Sequence, residues 1–166
     1  MVIVSLAYSA QNLLKIEGNG GVIMYTALDV AHYAITKCST ENHPISNLQL
    51  QKILYYIQRS FLQADSIAFD EDFEAWRFGP VIPSVYRVYC GFAGTPIRLK
   101  YEMDKLPDFE ADYKARMDSV INEKRDISPW DLVRETHHDG GAWKSVYQNG
   151  IGEHWIIYKD LIKTRG

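Results

Sequence analysis

Residues 73–83 read Phe-Glu-Ala-Trp-Arg-Phe-Gly-Pro-Val-Ile-Pro, and this stretch decides how a strand is joined to a helix. Phe73, Ala75 and Arg77 fall on one face and Glu74, Trp76 and Phe78 on the other, which is the alternation of a short strand. Gly79-Pro80 is predicted to end that strand in a sharp turn. Pro83 then suits the first turn of a helix, where the missing N–H of proline costs nothing, and this helix is predicted to run to Gly91.

The stretch before it, residues 46–63, is predicted to form the central helix of the fold. Ser46 and Gln49 have the spacing of a capping box, which marks a helix start. The apolar stripe that follows has helical spacing and consists of Leu50, Ile53, Leu54, Ile57 and Phe61. Lys52 and Arg59 are expected on the remaining face of this helix.

Helical periodicity and turn residues divide the rest of the chain into short elements. Thr26 and Asp29 open a first helix, whose apolar stripe ends at Cys38. Further helices are predicted over residues 108–124, 128–136, 143–147 and 159–163, with a second short strand at 97–101 and an extended pair at 156–157. The fold class is therefore α+β, mainly α. It is expected to be a compact domain of five or six helices around helix 46–63, with a small antiparallel β element near residues 73–78.

Composition and charge exclude several classes of protein. Of the 166 residues, 46% are hydrophobic and 23% charged, which excludes general disorder. The formal net charge is −3, so nucleic acid is not expected as the main partner. The two cysteines, Cys38 and Cys90, are too few for a disulfide framework and lack metal-ligand spacing, which favours a reducing cytoplasm. No apolar run approaches the ~20 residues that span a bilayer, so no membrane partner is expected.

Residues 1–23 are expected to lie outside the fold. Gly20-Gly21 can be encoded by the ribosome-binding sequence GGAGG, and only two residues separate it from Met24. We therefore expect Met24 to be the native start and residues 1–23 to be a translated, non-native leader, or else a disordered or loosely docked arm. The rest of the chain, residues 24–166, contains no repeat or linker and is predicted to be a single domain.

Three stretches carry a resemblance to a known family, and they occur in the family's order. The first is Asn-Leu-Gln-Leu-Gln-Lys-Ile-Leu-Tyr-Tyr at 47–56, and the second is Glu-Ala-Trp with Gly-Pro-Val, Pro and Val-Tyr within 74–86. The third is Thr-His at 136–137 with a Trp after it. Together they resemble the Panacea domain family, which includes SocA-like antitoxins and phage-associated GepA-like proteins. The residues that carry the structural motif are Leu50, Lys52, Leu54, Tyr55, Trp76, Phe78, Pro83, Thr136, His137 and Trp143.

The resemblance implies a mostly helical domain with a small sheet, and a binding function without catalysis. A member of this family would neutralise a partner toxin by direct protein–protein contact, or deliver it to a protease, and the toxin would be encoded by a neighbouring gene. Many members are encoded on prophages or mobile elements, so the same is expected here. No cofactor and no metal are expected, and self-association is an open alternative.

Six residues are candidates for partner binding, because aromatic and Arg side chains commonly anchor interfaces. They are Tyr56, Arg77, Gly79, Pro80, Val81 and Tyr86. Tyr56 is included since Tyr55 and Tyr56 cannot both face the core, and the others because a turn at Gly79-Pro80 would present them to a partner. The alternative is that Trp76 and Phe78 fill the core and that the turn has a structural role alone. Trp143 is predicted to be a core residue.

Two other functions stay open at this point. His137-His138-Asp139 is the only dense cluster of metal-type side chains, so a metal-assisted hydrolase that uses His137 is one alternative. Adjacent His side chains on a helix diverge by about 100°, however, and the helix dipole favours His at a C-terminus, so we interpret His137 as a helix end. A nucleic-acid-binding regulator is the other alternative, with a patch drawn from Lys52, Arg59, Arg77, Arg87, Arg98 and Lys100.

Overall fold

The first two helices of the fold begin at the two predicted capping boxes. In the computed structural model, which describes residues 25–166, α1 spans Ala27–Thr40 and α2 spans Asn47–Gln63. At each start, the N-cap side chain and the side chain three residues later exchange the reciprocal hydrogen bonds of a capping box. Both predicted starts are confirmed. The expected leader at residues 1–23 lies outside the described residues.

The sheet has three short antiparallel strands in the order β2-β1-β3. β1 spans Phe73–Trp76, β2 spans Gly79–Val81 and β3 spans Ile156–Ile157. Trp76 pairs with Gly79, so the hairpin loop consists of the two residues between them, 77 and 78. The predicted turn at Gly79-Pro80 is therefore wrong, and the predicted strand 73–78 ends two residues early. A proline fits in β2 because β2 is an edge strand, where one missing N–H breaks no internal ladder.

The remaining helices surround α2. They are α3 at Pro83–Tyr89, α4 at Ala111–Lys124, α5 at Pro129–Thr136, α6 at Ala142–Tyr147 and α7 at Lys159–Arg165, with 3-10 turns at Cys90–Phe92, Met103–Lys105 and Gln148–Gly150. α2 packs against α1, α3, α4, α5, α7 and β2. The fold is thus α+β and mainly α, as predicted, with seven α-helices in the described part of the chain rather than the expected five or six. Among the described residues, no helix is long and apolar enough to cross a membrane.

The predicted strand at residues 97–101 is wrong, because the backbone of this stretch bonds to groups outside any sheet. The N–H of Ile97 donates to the carbonyl of Ile45 over 2.8 Å, and the N–H of Tyr101 donates to the hydroxyl of Thr36 over 3.0 Å. Ile97 is wholly buried while Leu99 is 39% exposed, so the alternating apolar side chains do not share one face. The stretch is an irregular segment that closes over the end of α1.

The core is centred on α2, which is buried on its polar side as well as along its apolar stripe. Gln58 is wholly buried, and its amide bonds to the backbone of Ala68 and Phe69, which fastens the segment after α2. Lys52 is also wholly buried, so the expectation of a solvent-facing Lys52 is wrong. In the described part of the chain neighbouring elements pack against most of α2, so most of its side chains are buried, while Leu48 and Arg59 are among those that stay partly exposed.

Candidate functional site

An open groove with aromatic walls, called here the hairpin groove, lies beside the β1–β2 hairpin and has a volume of about 480 Å³. Its lining residues are Asn47, Leu48, Gln51, Trp76, Arg77, Phe78, Val81, Tyr86, Cys90, Ala93, Gly94, Trp130 and Glu153. Phe78 and Trp130 are 45% and 56% exposed. Large aromatic side chains that are exposed to this extent in a concave surface are typical of an interaction site.

The aromatic walls are held in place by contacts among themselves. The rings of Phe78 and Trp130 meet edge to face with their centres 5.5 Å apart, and the guanidinium of Arg77 lies 5.4 Å from the centre of the Phe78 ring. The Trp76 ring lies 4.8 Å from the ring of Tyr86, and its indole N–H donates to Glu74 over 2.8 Å. These contacts give the walls a defined shape before any partner arrives.

Two buried amides form part of the groove floor. Gln51 and Asn47 are only 1% and 5% exposed, and both lie in the first turns of α2. The Gln51 amide accepts from the backbone N–H of Ile82 over 2.9 Å and donates to Asn47 over 3.3 Å. This chain of hydrogen bonds couples the start of α3 to the start of α2, so the floor and one wall are a single hydrogen-bonded unit.

Below the hairpin lies the buried lysine of α2. Nζ of Lys52 donates to the carbonyl of Pro80 over 3.0 Å, and burial lowers the pKa of Lys52 to about 7. Gly79 crosses directly over this side chain with φ +104°, where a Cβ would stand 2.7 Å from Cε of Lys52 and 2.9 Å from Oγ1 of Thr136. Glycine is required at this position for two reasons: the positive φ and the absence of space.

The C-terminal end of α5 packs beside the buried Lys52 and Gly79. His137 is the C-cap of α5, as predicted, and its ring stacks on Trp143 with the ring centres 3.5 Å apart. Burial first, and then the charges of Lys52 and Lys144, together lower the pKa of His137 to about 4, so the imidazole is neutral at pH 7. Trp143 is 5% exposed, which confirms it as a core residue, and its indole N–H donates to the carbonyl of Trp76 over 2.8 Å.

Most residues that line the groove, and all of the cluster beneath it, fall within the part of the chain that a family model matches; Asn47, Leu48 and Glu153 lie outside it. The family model described as "Antitoxin SocA-like, Panacea domain" matches residues 50–144. Antitoxin SocA of Caulobacter vibrioides (strain NA1000 / CB15N) is 35% identical over 135 residues, which cover 74% of this chain and 70% of that protein. The chain belongs to the SocA-like antitoxin family. No solved structure matches it.

Membership of the SocA-like family supports an antitoxin role and implies a toxin partner in general terms. It also suggests a regulator rather than an enzyme. The structure shows what the resemblance motifs do in this Panacea domain. Leu50, Leu54 and Tyr55 are core residues, whereas Lys52, Thr136, His137 and Trp143 meet under the hairpin.

The structure brings only some of the six predicted partner-binding residues to one surface. Arg77, Val81 and Tyr86 line the hairpin groove. Gly79 and Pro80 are buried in β2, where they shape the hairpin from within. Tyr56 is half-buried elsewhere on α2, beneath Lys124, whose Nζ lies 4.3 Å from the ring centre.

Sequence reasoning missed other lining residues and misplaced Phe78, which was assigned to the core in one interpretation. Phe78 is exposed because it occupies the hairpin loop, and Trp76 is only half-buried beside it. Trp130 was overlooked, although it follows the helix-start pair Ser128-Pro129 and falls off the apolar stripe of α5. Asn47 opens the first family motif, but nothing in that motif marks it as a lining residue, and Glu153 lies in none of the three motifs; each joins the groove only through the fold.

The alternative chemistries draw on residues that the structure separates or encloses. Nε2 of His137 is buried without a hydrogen-bond partner, and no group of three metal-type ligands occurs among residues 25–166. Lys52 cannot contribute to a nucleic-acid-binding patch because it is wholly buried.

Proposed function

We propose that this protein neutralises a protein toxin by direct contact and that the toxin docks in the hairpin groove. The observation that carries the proposal is the pair of exposed aromatic side chains, Phe78 and Trp130, in a groove that also presents Arg77. Aromatic and Arg side chains in such a setting are the usual anchors of protein interfaces. The toxin is expected to be the product of a neighbouring gene, and the setting a prophage or mobile element in a bacterial cytoplasm.

Neutralisation would work by occlusion, in which the toxin's working surface is covered by the groove. The cluster of Lys52, Gly79 and Trp143 holds the hairpin from below, so little ordering is needed when the partner binds. A surface that is formed in advance loses less conformational entropy on binding and therefore binds more tightly.

Delivery of the toxin to a protease is the second mode that family membership leaves open. It requires a contact surface that stays free while the toxin is bound. Trp155, Ile156 and Tyr158, at the opposite edge of the sheet from β2, are 55%, 42% and 71% exposed. This patch is available for that second contact, or for self-association, when the groove is occupied.

The test combines toxin binding with the reactivity of Cys90. Cys90 lies in the groove and is exposed, whereas Cys38 is wholly buried, so a thiol reagent should label one site in the folded protein. Co-expression with the neighbouring gene product should yield a complex in which Cys90 is protected. The double variant Phe78→Ala/Trp130→Ala should melt at the temperature of the wild type. Its affinity for the toxin should fall at least thirtyfold, so the complex is lost and the variant does not rescue growth.

Trp155→Ala is the matched control, since it removes an equally exposed tryptophan outside the groove. It should leave both the complex and the protection of Cys90 unchanged. A complex that leaves Cys90 reactive, or that survives the double variant, would show that the toxin binds elsewhere. Loss of the toxin only when a protease is present would favour delivery over occlusion.

A further inference from the structure

The floor of the hairpin groove holds a hydrogen-bond donor whose direction is fixed by the backbone. The N–H of Ile82 can only donate, so the atom of Gln51 that it meets is the carbonyl oxygen Oε1. Nε2 of Gln51 must then be the donor to Asn47, and the atom of Asn47 that accepts is Oδ1. Nδ2 of Asn47 is the amide atom left to the groove, and no acceptor in residues 25–166 bonds to it.

A second donor stands at the same groove. Arg77 is exposed in the hairpin loop, and in the described part of the chain no carboxylate lies within ion-pair distance of its guanidinium. A guanidinium and an amide N–H₂ that are both unpaired favour an anionic oxygen ligand, and a carboxylate above all. Glu153 also lines the groove, and its charge disfavours a ligand carboxylate beside it. A ligand carboxylate is therefore favoured at Arg77 and Asn47 over the neighbourhood of Glu153.

The rest of the groove is apolar and aromatic. The crossed rings of Phe78 and Trp130 and the paired rings of Trp76 and Tyr86 offer faces and edges against which a large apolar side chain can pack. A ligand that satisfies the whole groove therefore combines one large apolar side chain with one carboxylate close to it. Both features occur together in a short peptide segment.

We infer that the hairpin groove recognises a segment of its protein partner in which an Asp or Glu adjoins a large apolar residue, an inference that rests on the proposed function. The apolar side chain packs against Phe78 and Trp130. The carboxylate accepts hydrogen bonds from Nδ2 of Asn47 and from the guanidinium of Arg77. Gln51 thus fixes the orientation of the Asn47 amide, and Asn47 donates to the ligand, while both side chains also fill the floor of the groove.

The direct test is an NMR titration of the full chain with capped dipeptides as probes. Acetyl-Phe-Asp-amide should shift the side-chain amide signal of Asn47 and the indole N–H signal of Trp130. It should bind about tenfold more tightly than acetyl-Phe-Asn-amide or acetyl-Ala-Asp-amide, because each control lacks the charge or the ring. Equal binding of the three probes, or no shift of these two signals, would overturn the inference.

Two variants separate this recognition from folding. Asn47→Asp keeps the oxygen that accepts from Gln51, replaces only the free donor, and places a carboxylate in the first turn of α2, where the helix dipole tolerates it. Arg77→Gln removes the guanidinium, and Arg98→Gln is the matched control on an exposed arginine outside the groove. The first two should each weaken acetyl-Phe-Asp-amide about tenfold, and the third should not.

The same variants tell the two proposals apart when the toxin itself is bound. If the toxin protects Cys90 but binds Asn47→Asp and Arg77→Gln as tightly as the wild type, the recognition of a carboxylate is refuted and the proposed function stands. If the dipeptide binds as expected but the toxin leaves Cys90 reactive, the groove has this specificity and the proposed toxin-docking role is refuted.

Discussion

Replacing Gly79 by alanine tests the packing beneath the hairpin. The new Cβ would stand 2.7 Å from Cε and 2.9 Å from Nζ of Lys52, and 2.9 Å from Oγ1 of Thr136. The lysine is the flexible member of this contact, but it is wholly buried and its Nζ is bonded to the carbonyl of Pro80. The substitution therefore forces the amino group of Lys52 away from its acceptor, and no solvent is there to replace that acceptor.

Two costs add up in this variant. Holding a residue with a Cβ at φ +104° costs about 1–3 kcal/mol, and a wholly buried donor that loses its acceptor costs about 1–3 kcal/mol more. The sum of about 2–6 kcal/mol is a large part of the total stability of a domain, which is about 5–15 kcal/mol. A β-branched residue at this position, as in Gly79→Val, should be worse still.

Urea denaturation followed by tryptophan fluorescence measures this loss. Gly91→Ala is the matched control, since its Cβ would meet no atom within 4 Å, and it should change stability by less than about 0.5 kcal/mol. In a Lys52→Met background the cost of Gly79→Ala should fall by about 0.5–3 kcal/mol, because the two side chains are in contact. If Gly79→Ala unfolds at the same urea concentration as Gly91→Ala, the argument for a filled space below the hairpin is refuted.

Two further predictions concern the same cluster. Trp143→Ala should cost about 3–5 kcal/mol in the same assay, because it removes a buried ring and leaves the carbonyl of Trp76 without its donor; a small change would mean that this ring does not support the hairpin. Burial lowers the pKa of Lys52 from 10.5 to about 7, so between these values the unfolded chain binds more protons and stability rises with pH. Lys52→Met should flatten that rise between pH 7 and pH 9, and an unchanged slope would contradict a neutralised lysine.

Local signals in the sequence were enough to predict most of the helices. The capping boxes at Thr26 and Ser46 and the proline at the start of α5 act within a few residues, and each predicted helix start is where the structure has it. The hairpin was misjudged because Gly79-Pro80 has the composition of a turn, whereas the actual loop, Arg77-Phe78, does not. The positive φ of Gly79 belongs to the hairpin, and the lysine beneath it, which leaves no room for a Cβ, comes from a part of the chain that no neighbour in the sequence reveals.

The candidate site was only partly predictable for a related reason. Periodicity assigns polar residues to an outer face, and that rule fails for Lys52 and Gln51 because α2 is enclosed by other elements. The groove itself forms where the start of α2, the hairpin, α3 and Trp130 converge. Arg77, Val81 and Tyr86 were predicted because they share one short stretch with the turn, while Asn47 and Trp130 come from distant parts of the chain.

The pairing of Lys52 with Pro80 also determines what the outer edge of the sheet can do. An edge strand commonly invites another chain to pair with it through free N–H and C=O groups. At Pro80 neither group is available to pair with another strand, because proline has no N–H and its carbonyl is already bonded to Nζ of Lys52. The hairpin can therefore meet a partner with its side chains, while strand addition and edge-to-edge aggregation are blocked at this residue of β2.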